Sequence, residues 1–161
     1  APEPAPTATA PPVPTPEPKP RPAAPPPPKD PVVTFRDVAM GVCASFSKDR
    51  RIVPVVCDGA DPAQWFTLHL NSDGWYTLIG NDPTACLDSY PIKNGNAGAV
   101  VVATCDGSLF QRWMITEVAD NTYNLQDLQT KLALDTDGKN IYAWNRQDSD
   151  PNEQWVKTVI R

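Results

Sequence analysis

From residue 32 onward the apolar positions come in short runs, none with helical spacing. They are Val32-Val33, Ile52-Val53, Trp65-Phe66-Thr67-Leu68, Trp75 to Ile79, Ala99 to Ala103, Trp113-Met114-Ile115, Tyr123-Asn124-Leu125 and Ile141 to Trp144. Most are rich in β-branched or aromatic residues, which suit a pleated, half-buried surface. Turn-forming clusters separate them: "SDG" (72–74), "GNDP" (80–83), "KNGNAG" (93–98), "TDGKN" (136–140) and "DSDP" (148–151). Short strands at regular turn spacing predict an all-β barrel or sandwich.

A repeat decides between the two. "CDGADPAQW" (57–65) and "CDGSLFQRW" (105–113) are nearly the same phrase, and "DSDPNEQW" (148–155) is a third version without the cysteine. Trp65, Trp113 and Trp155 thus recur at intervals of 48 and 42 residues, each leading into an apolar strand. "GVCASF" (41–46), "ACLDSY" (85–90) and "LALDTD" (132–137) form a matching set of lead-in strands. A unit of this length cannot bury its apolar face alone, so three units must share one core. The spacing predicts three lobes of four strands each. It also predicts Trp65, Trp113 and Trp155 in that core, with the preceding glutamines satisfying backbone groups.

The chain resembles the ricin B-type β-trefoil family from Val32 to Arg161. The Gln-x-Trp signature "QRW" (111–113), the contracted "QW" at 64–65 and 154–155, and the lead-ins "CLD" (86–88) and "ALD" (133–135) carry the resemblance. Four cysteines allow three pairings. The repeat selects Cys43–Cys57 and Cys86–Cys105, one bond inside each of the first two lobes, with Ala133 at the first cysteine position of the third.

Composition adds an organisation. Most of the 20 prolines fall before Val32, in a segment of Ala, Pro, Thr and a few charges. Such a segment has too little apolar surface to offset the entropy of ordering. Residues 1–31 are therefore expected to be a disordered Pro-rich stalk or linker, and 32–161 the trefoil domain. The net charge of −5 argues against a nucleic-acid or polybasic membrane partner. No stretch approaches the roughly 20 apolar residues of a membrane span. The Ala-Pro start matches what signal-peptide removal leaves, although a piece cut from a longer chain would begin the same way. Four cysteines in a small exported domain favour disulfides over metal ligands, so a secreted, extracellular protein is expected.

Function has to be argued from sites. The family resemblance implies one potential sugar site per lobe. Each would have an acid two residues after the first cysteine position, an aromatic platform on the next strand and an amide near the Gln-x-Trp turn. A sugar is polar at its edge and C–H-rich on one face, so a carboxylate with a flat aromatic suits it. In the first lobe Ser45 stands at the acid position and no aromatic precedes Cys57. In the second, Asp88 and Gln111 are in place, but Ala103 stands where the platform should be, and Tyr90 is out of register. In the third, Asp135 matches the acid, Trp144 with Tyr142 the platform, and Asn152 the amide. Asp135 and Trp144 are expected to be exposed. Two departures stand out: a shorter loop between acid and aromatic, and Glu153 where Gln is expected. The bland alternative makes Asp135 part of a "DTDG" turn and Trp144 a barrel cap.

No nucleophile pairs with His69 by motif, and no phosphate loop or metal-ligand spacing is visible. The expectation is a binding module rather than an enzyme, with no cofactor and no metal. The resemblance implies glycans as partners, galactose-type first. More loosely, "VTFRDVAMGVCASF" (33–46) with "IVPVVCDG" (52–59) resembles the A and C subunits of cytolethal distending toxins. That likeness implies the alternative of a delivery subunit docking other toxin or enzyme subunits.

Overall fold

The computed structural model describes residues 2–27, 29–91 and 97–161. Much of the turn expected at 93–98 lies outside them. Residues 2–27 are exposed and carry no regular secondary structure. Among the described residues twelve strands follow, four per lobe. The first lobe holds β1 (Val32–Asp37), β2 (Cys43–Phe46), β3 (Ile52–Val55) and β4 (Phe66–Leu70). The second holds β5 (Tyr76–Ile79), β6 (Ala85–Pro91), β7 (Ala97–Thr104) and β8 (Trp113–Ala119). The third holds β9 (Thr122–Asp127), β10 (Leu132–Thr136), β11 (Ile141–Asn145) and β12 (Trp155–Val159).

The first and fourth strands of each lobe close a ring. β1 pairs with β4, β4 with β5, β5 with β8, β8 with β9, β9 with β12 and β12 with β1, all antiparallel. Closure removes the barrel's open edges. The hairpins β2–β3, β6–β7 and β10–β11 extend from one end of this barrel. Phe35, Phe66, Leu78, Leu125, Trp113 and Trp155 are among the side chains that fill the shared core. This is the β-trefoil that the repeat predicts.

The expected core tryptophans need one correction. Trp113 and Trp155 are fully buried, and each indole Nε1–H donates to a carbonyl of its own lobe: Leu87 at 3.1 Å and Leu134 at 3.0 Å. Trp65 is only half-buried. Phe66 takes the core place instead, edge-on to Phe35 at 5.3 Å. The first-lobe signature is therefore Gln64-Trp65-Phe66, an uncontracted Gln-x-aromatic. In the third lobe it is Glu153-Gln154-Trp155, with Glu153 buried and Gln154 half-buried. Trp65 lies at the rim, donating to the Gly59 carbonyl at 2.9 Å under the Arg161 guanidinium.

Both expected disulfides form, Cys43–Cys57 and Cys86–Cys105. The third lobe has a substitute where none was expected. Arg146 directly precedes Gln147, as Cys57 and Cys105 precede Asp58 and Asp106. Its guanidinium reaches Asp148 at 2.7 Å and the Gln126 side chain of β9 at 3.0 Å. At the domain's edge, the Pro31 carbonyl accepts from Leu68 N at 2.9 Å, and Asp30 lies 2.8 Å from His69 Nδ1.

Candidate functional site

The β10–β11 hairpin carries the third-lobe residues. Its register sets Asp135 opposite Tyr142 and Ala133 opposite Trp144. Alternation along β11 buries Ile141 and Ala143 and turns Tyr142 and Trp144 to the other face. The hairpin turn is held by Asp137, whose Oδ1 accepts from Lys139 N at 2.8 Å and Asn140 N at 2.7 Å. Asp137, and not Asp135, is thus the turn-making acid of "DTDG". Asn152 sits in the short 3-10 turn Pro151–Glu153, capped by Asp150, which accepts from Asn152 N at 3.0 Å. The Asn152 Nδ2 donates to the Thr136 carbonyl at 2.7 Å. One amide hydrogen is thereby fixed, leaving the other and the Oδ1 for a ligand.

These side chains border one cleft of about 600 Å³. Asp135, Tyr142, Trp144, Asp150 and Asn152 line it, and Met40, Ala97, Gly98 and Asp137 complete the wall. Trp144 is 40% exposed, as expected, but Asp135 is only 4% exposed. The acid is a floor group rather than a surface one, because Tyr142, Asn152 and the turn around Glu153 close over its flanks. Gly98 is required where β7 enters the wall: a Cβ there would lie 2.7 Å from the Tyr90 carbonyl and 2.9 Å from Leu132.

The floor is acidic and partly dry. Carboxylate oxygens of Asp135, Asp150 and Glu153 come within 4.8 Å of one another. Burial pushes Asp135 up to about 6; Asp150 raises it further, while hydrogen bonds from Tyr142 and Thr136 N pull it down. Burial also pushes Glu153 up to about 7, against the hydrogen bond from Gln147 N and with Asp135, Asp150 and Asp148 adding to the rise. Burial, then the charge of Asp135, drives the Tyr142 hydroxyl up to about 12, so it stays a donor. Asp135 Oδ1 and Glu153 Oε1 find no hydrogen-bond partner among the described residues.

Comparison with known proteins adds the family. The model of the ricin-type beta-trefoil lectin domain matches residues 74–159, more than half of the chain. The chain belongs to the ricin-type β-trefoil lectin family. No curated protein matches it in sequence. Solved structures share its fold at low identity. The designed 3-fold symmetric protein ThreeFoil is 18% identical, with a TM-score of 0.68 over 79% of this chain and 97% of its own. SeviL, bound to asialo-GM1 saccharide, is 18% identical, with a TM-score of 0.65 over 80% and 97%. The Macrolepiota procera ricin B-like lectin, in complex with lactose, is 14% identical, with a TM-score of 0.64 over 80% and 95%.

The lobes of this lectin domain differ in what they bring together. In the second, Gln111 Nε2 donates to Asp88 Oδ2 at 3.0 Å, so acid and glutamine meet. Across β7, Asp88 faces Val101 and Cys86 faces Ala103, where the third lobe has Tyr142 and Trp144. Phe110 stands at the Asn152 position, and Tyr90 packs on it with ring centroids 6.0 Å apart. In the first lobe Ser45 faces Val53 and Cys43 faces Val55. Acid, aromatic pair and amide share a cleft in the third lobe. The sequence reading missed Asp150, Met40 and Gly98. "DSDP" announced Asp150 as a turn cap, which it is. Met40 and Gly98 come from other lobes and carry no local signal.

Proposed function

We propose that this domain binds glycans through the third-lobe cleft, as a secreted carbohydrate-binding module. The observation that carries the reading is a buried carboxylate, Asp135, at the foot of an exposed aromatic pair, Tyr142 and Trp144, with the Asn152 amide beside it. A pyranose can lay its C–H face on Trp144 and present two hydroxyls to the Asp135 and Asn152 edge. Galactose-type sugars come first, in keeping with the lactose of the Macrolepiota procera complex. The two disulfides suit an oxidising compartment. The Pro-rich segment would act as a stalk displaying the domain. One open site supports a dissociation constant near the millimolar range, about −4 kcal/mol. Useful grip would then come from several copies on a surface or in an assembly.

Titration of galactose- and mannose-type sugars, followed by NMR, tests the reading. Wild type should show shifts confined to the third-lobe cleft. Trp144→Ala should remove them without unfolding, since the ring is exposed, and Asp135→Asn should do the same. Asp88→Ala should leave binding intact. A wild-type spectrum that stays still up to roughly tens of millimolar sugar, or a loss of binding in Asp88→Ala, refutes the third-lobe assignment. Docking of a partner protein would then be the reading to pursue.

A further inference from the structure

The three lobes offer an internal comparison at one buried position. Gln64 accepts from Asp58 N at 3.0 Å through Oε1 and donates to the Val56 carbonyl at 3.0 Å through Nε2. Gln111 accepts from Asp106 N at 2.9 Å and donates at 3.0 Å to both the Thr104 carbonyl and Asp88 Oδ2. Glu153 reproduces the accepting half: its Oε2 takes a hydrogen bond from Gln147 N at 2.6 Å. Its Oε1 stands where the other lobes place a donating Nε2. That oxygen is buried and without a partner among the described residues, and so is Asp135 Oδ1. Carboxylate oxygens of Asp135 and Glu153 come within 4.8 Å of each other, where in the second lobe a donor, Gln111 Nε2, meets an acceptor, Asp88 Oδ2.

The surrounding charges do not resolve this conflict. Asp135 on β10, Asp137 in the hairpin turn, Asp148 and Asp150 beside the 3-10 turn, and Asp37 on β1 are the acids of this corner. The Tyr142 hydroxyl on β11 is committed to Asp135. Arg146, the cation of the same turn, is held by Asp148 and Gln126. An unpaired buried acceptor is destabilising, and more so when charged. A proton on Oε1 removes the conflict and turns Glu153 into the donor that Gln111 already is.

We propose that Glu153 is a positioning residue of the pocket: it carries a proton and donates it in a hydrogen bond to Asp135, holding that carboxylate as Gln111 holds Asp88. The consequence for ligand rests on the carbohydrate-binding reading. Asp135 can meet sugar hydroxyls as a fixed, ionised acceptor only while its neighbour is neutral. As pH rises through about 7, Glu153 loses its proton. Two adjacent carboxylates then repel, and affinity falls by about tenfold per pH unit. At the acid end a second proton neutralises Asp135, so binding peaks while the pair holds one proton.

Glu153→Gln is the decisive variant, because it restores the residue that the other two lobes fold around. Carboxyl carbon shifts of Glu153 and Asp135 should be followed by NMR over pH about 4 to about 9. Thermal stability and galactose titrations would be recorded on the full chain over the same range. The expected result is a Glu153 carboxyl titrating well above its ordinary range. Galactose affinity should decline on the alkaline side in wild type and stay flat there in Glu153→Gln. A Glu153 titration in the ordinary range overturns the proposal, whether or not sugar binds. An undiminished alkaline decline in Glu153→Gln also overturns it. Millimolar calcium or magnesium chloride moving both carboxyl signals would mean that a cation neutralises the pair, and overturns it too. If no sugar binds at any pH while Glu153 titrates high and Glu153→Gln lessens the alkaline loss of stability, the proton stands and the glycan reading fails.

Discussion

Phe66 and Trp113 occupy equivalent places in two lobes, yet only the indole has an N–H for the lead-in strand. Removing either ring opens a cavity in a closed barrel whose core has no free edge to collapse. Phe66→Ala, Trp113→Ala and Trp155→Ala should each cost about 3–5 kcal/mol in urea unfolding. Trp65→Ala should cost about 1 kcal/mol, since one face is open and its main partners are a turn carbonyl and Arg161. Equal losses at Trp65 and Phe66 would refute this ordering. The contrast shows what one-residue register means. Neighbours on a strand point to opposite faces, so placing the signature one residue too early buries the wrong ring. "QW" at 64–65 invited that shift because a second aromatic follows at once. Asp135 was legible as the pocket acid from its distance to Ala133. Its burial was not, because Asn152 and Glu153, which cover it, come from a turn about one strand pair later in the chain.

At the scale of elements, the short apolar runs were legible because each strand ends at a turn with its own chemistry. Asp58, Asp61, Asp137 and Asp150 cap backbone N–H groups as their positions in the turns suggest. The pattern showed which two hairpins carry disulfides, but it hid what Arg146 does in the third lobe. Two are closed by disulfides at separations of 14 and 19 residues, and in the third Arg146, just after β11, ties back to Gln126 of β9 and to Asp148. Chain-entropy arithmetic for loops of that size gives about 3 kcal/mol per disulfide. A Cys86→Ala/Cys105→Ala variant should therefore lose about that much in equilibrium unfolding, while its third-lobe resonances stay in place. Movement of Tyr142 and Trp144 signals in that variant would show that the hairpins are coupled more tightly than the ladder between β7 and β11 implies.

At the scale of the molecule, five buried carboxyls among the described residues titrate late, Asp88 being one of them. Burial raises Asp37 to about 6, Asp127 to about 7, Asp135 to about 6 and Glu153 to about 7. Between the ordinary carboxylate range and these values the folded state binds more protons than the unfolded one. Stability is therefore fully present on the acid side and is lost as pH rises toward 7. The melting temperature should fall by roughly 5–10 °C from mildly acidic to mildly alkaline pH; a flat or rising profile would contradict the burial of these groups. The pairing of β1 with β12 has a mechanical consequence. β1 runs from the barrel's far rim, where the Pro-rich segment joins it, toward the hairpin end that carries the cleft. A ligand tugging at the cleft against an anchor on that segment would slide β1 lengthwise past its neighbours. Five residue pairs along the β1–β12 ladder would share the tension at once, a shear geometry that resists far better than bonds unzipped singly from one end.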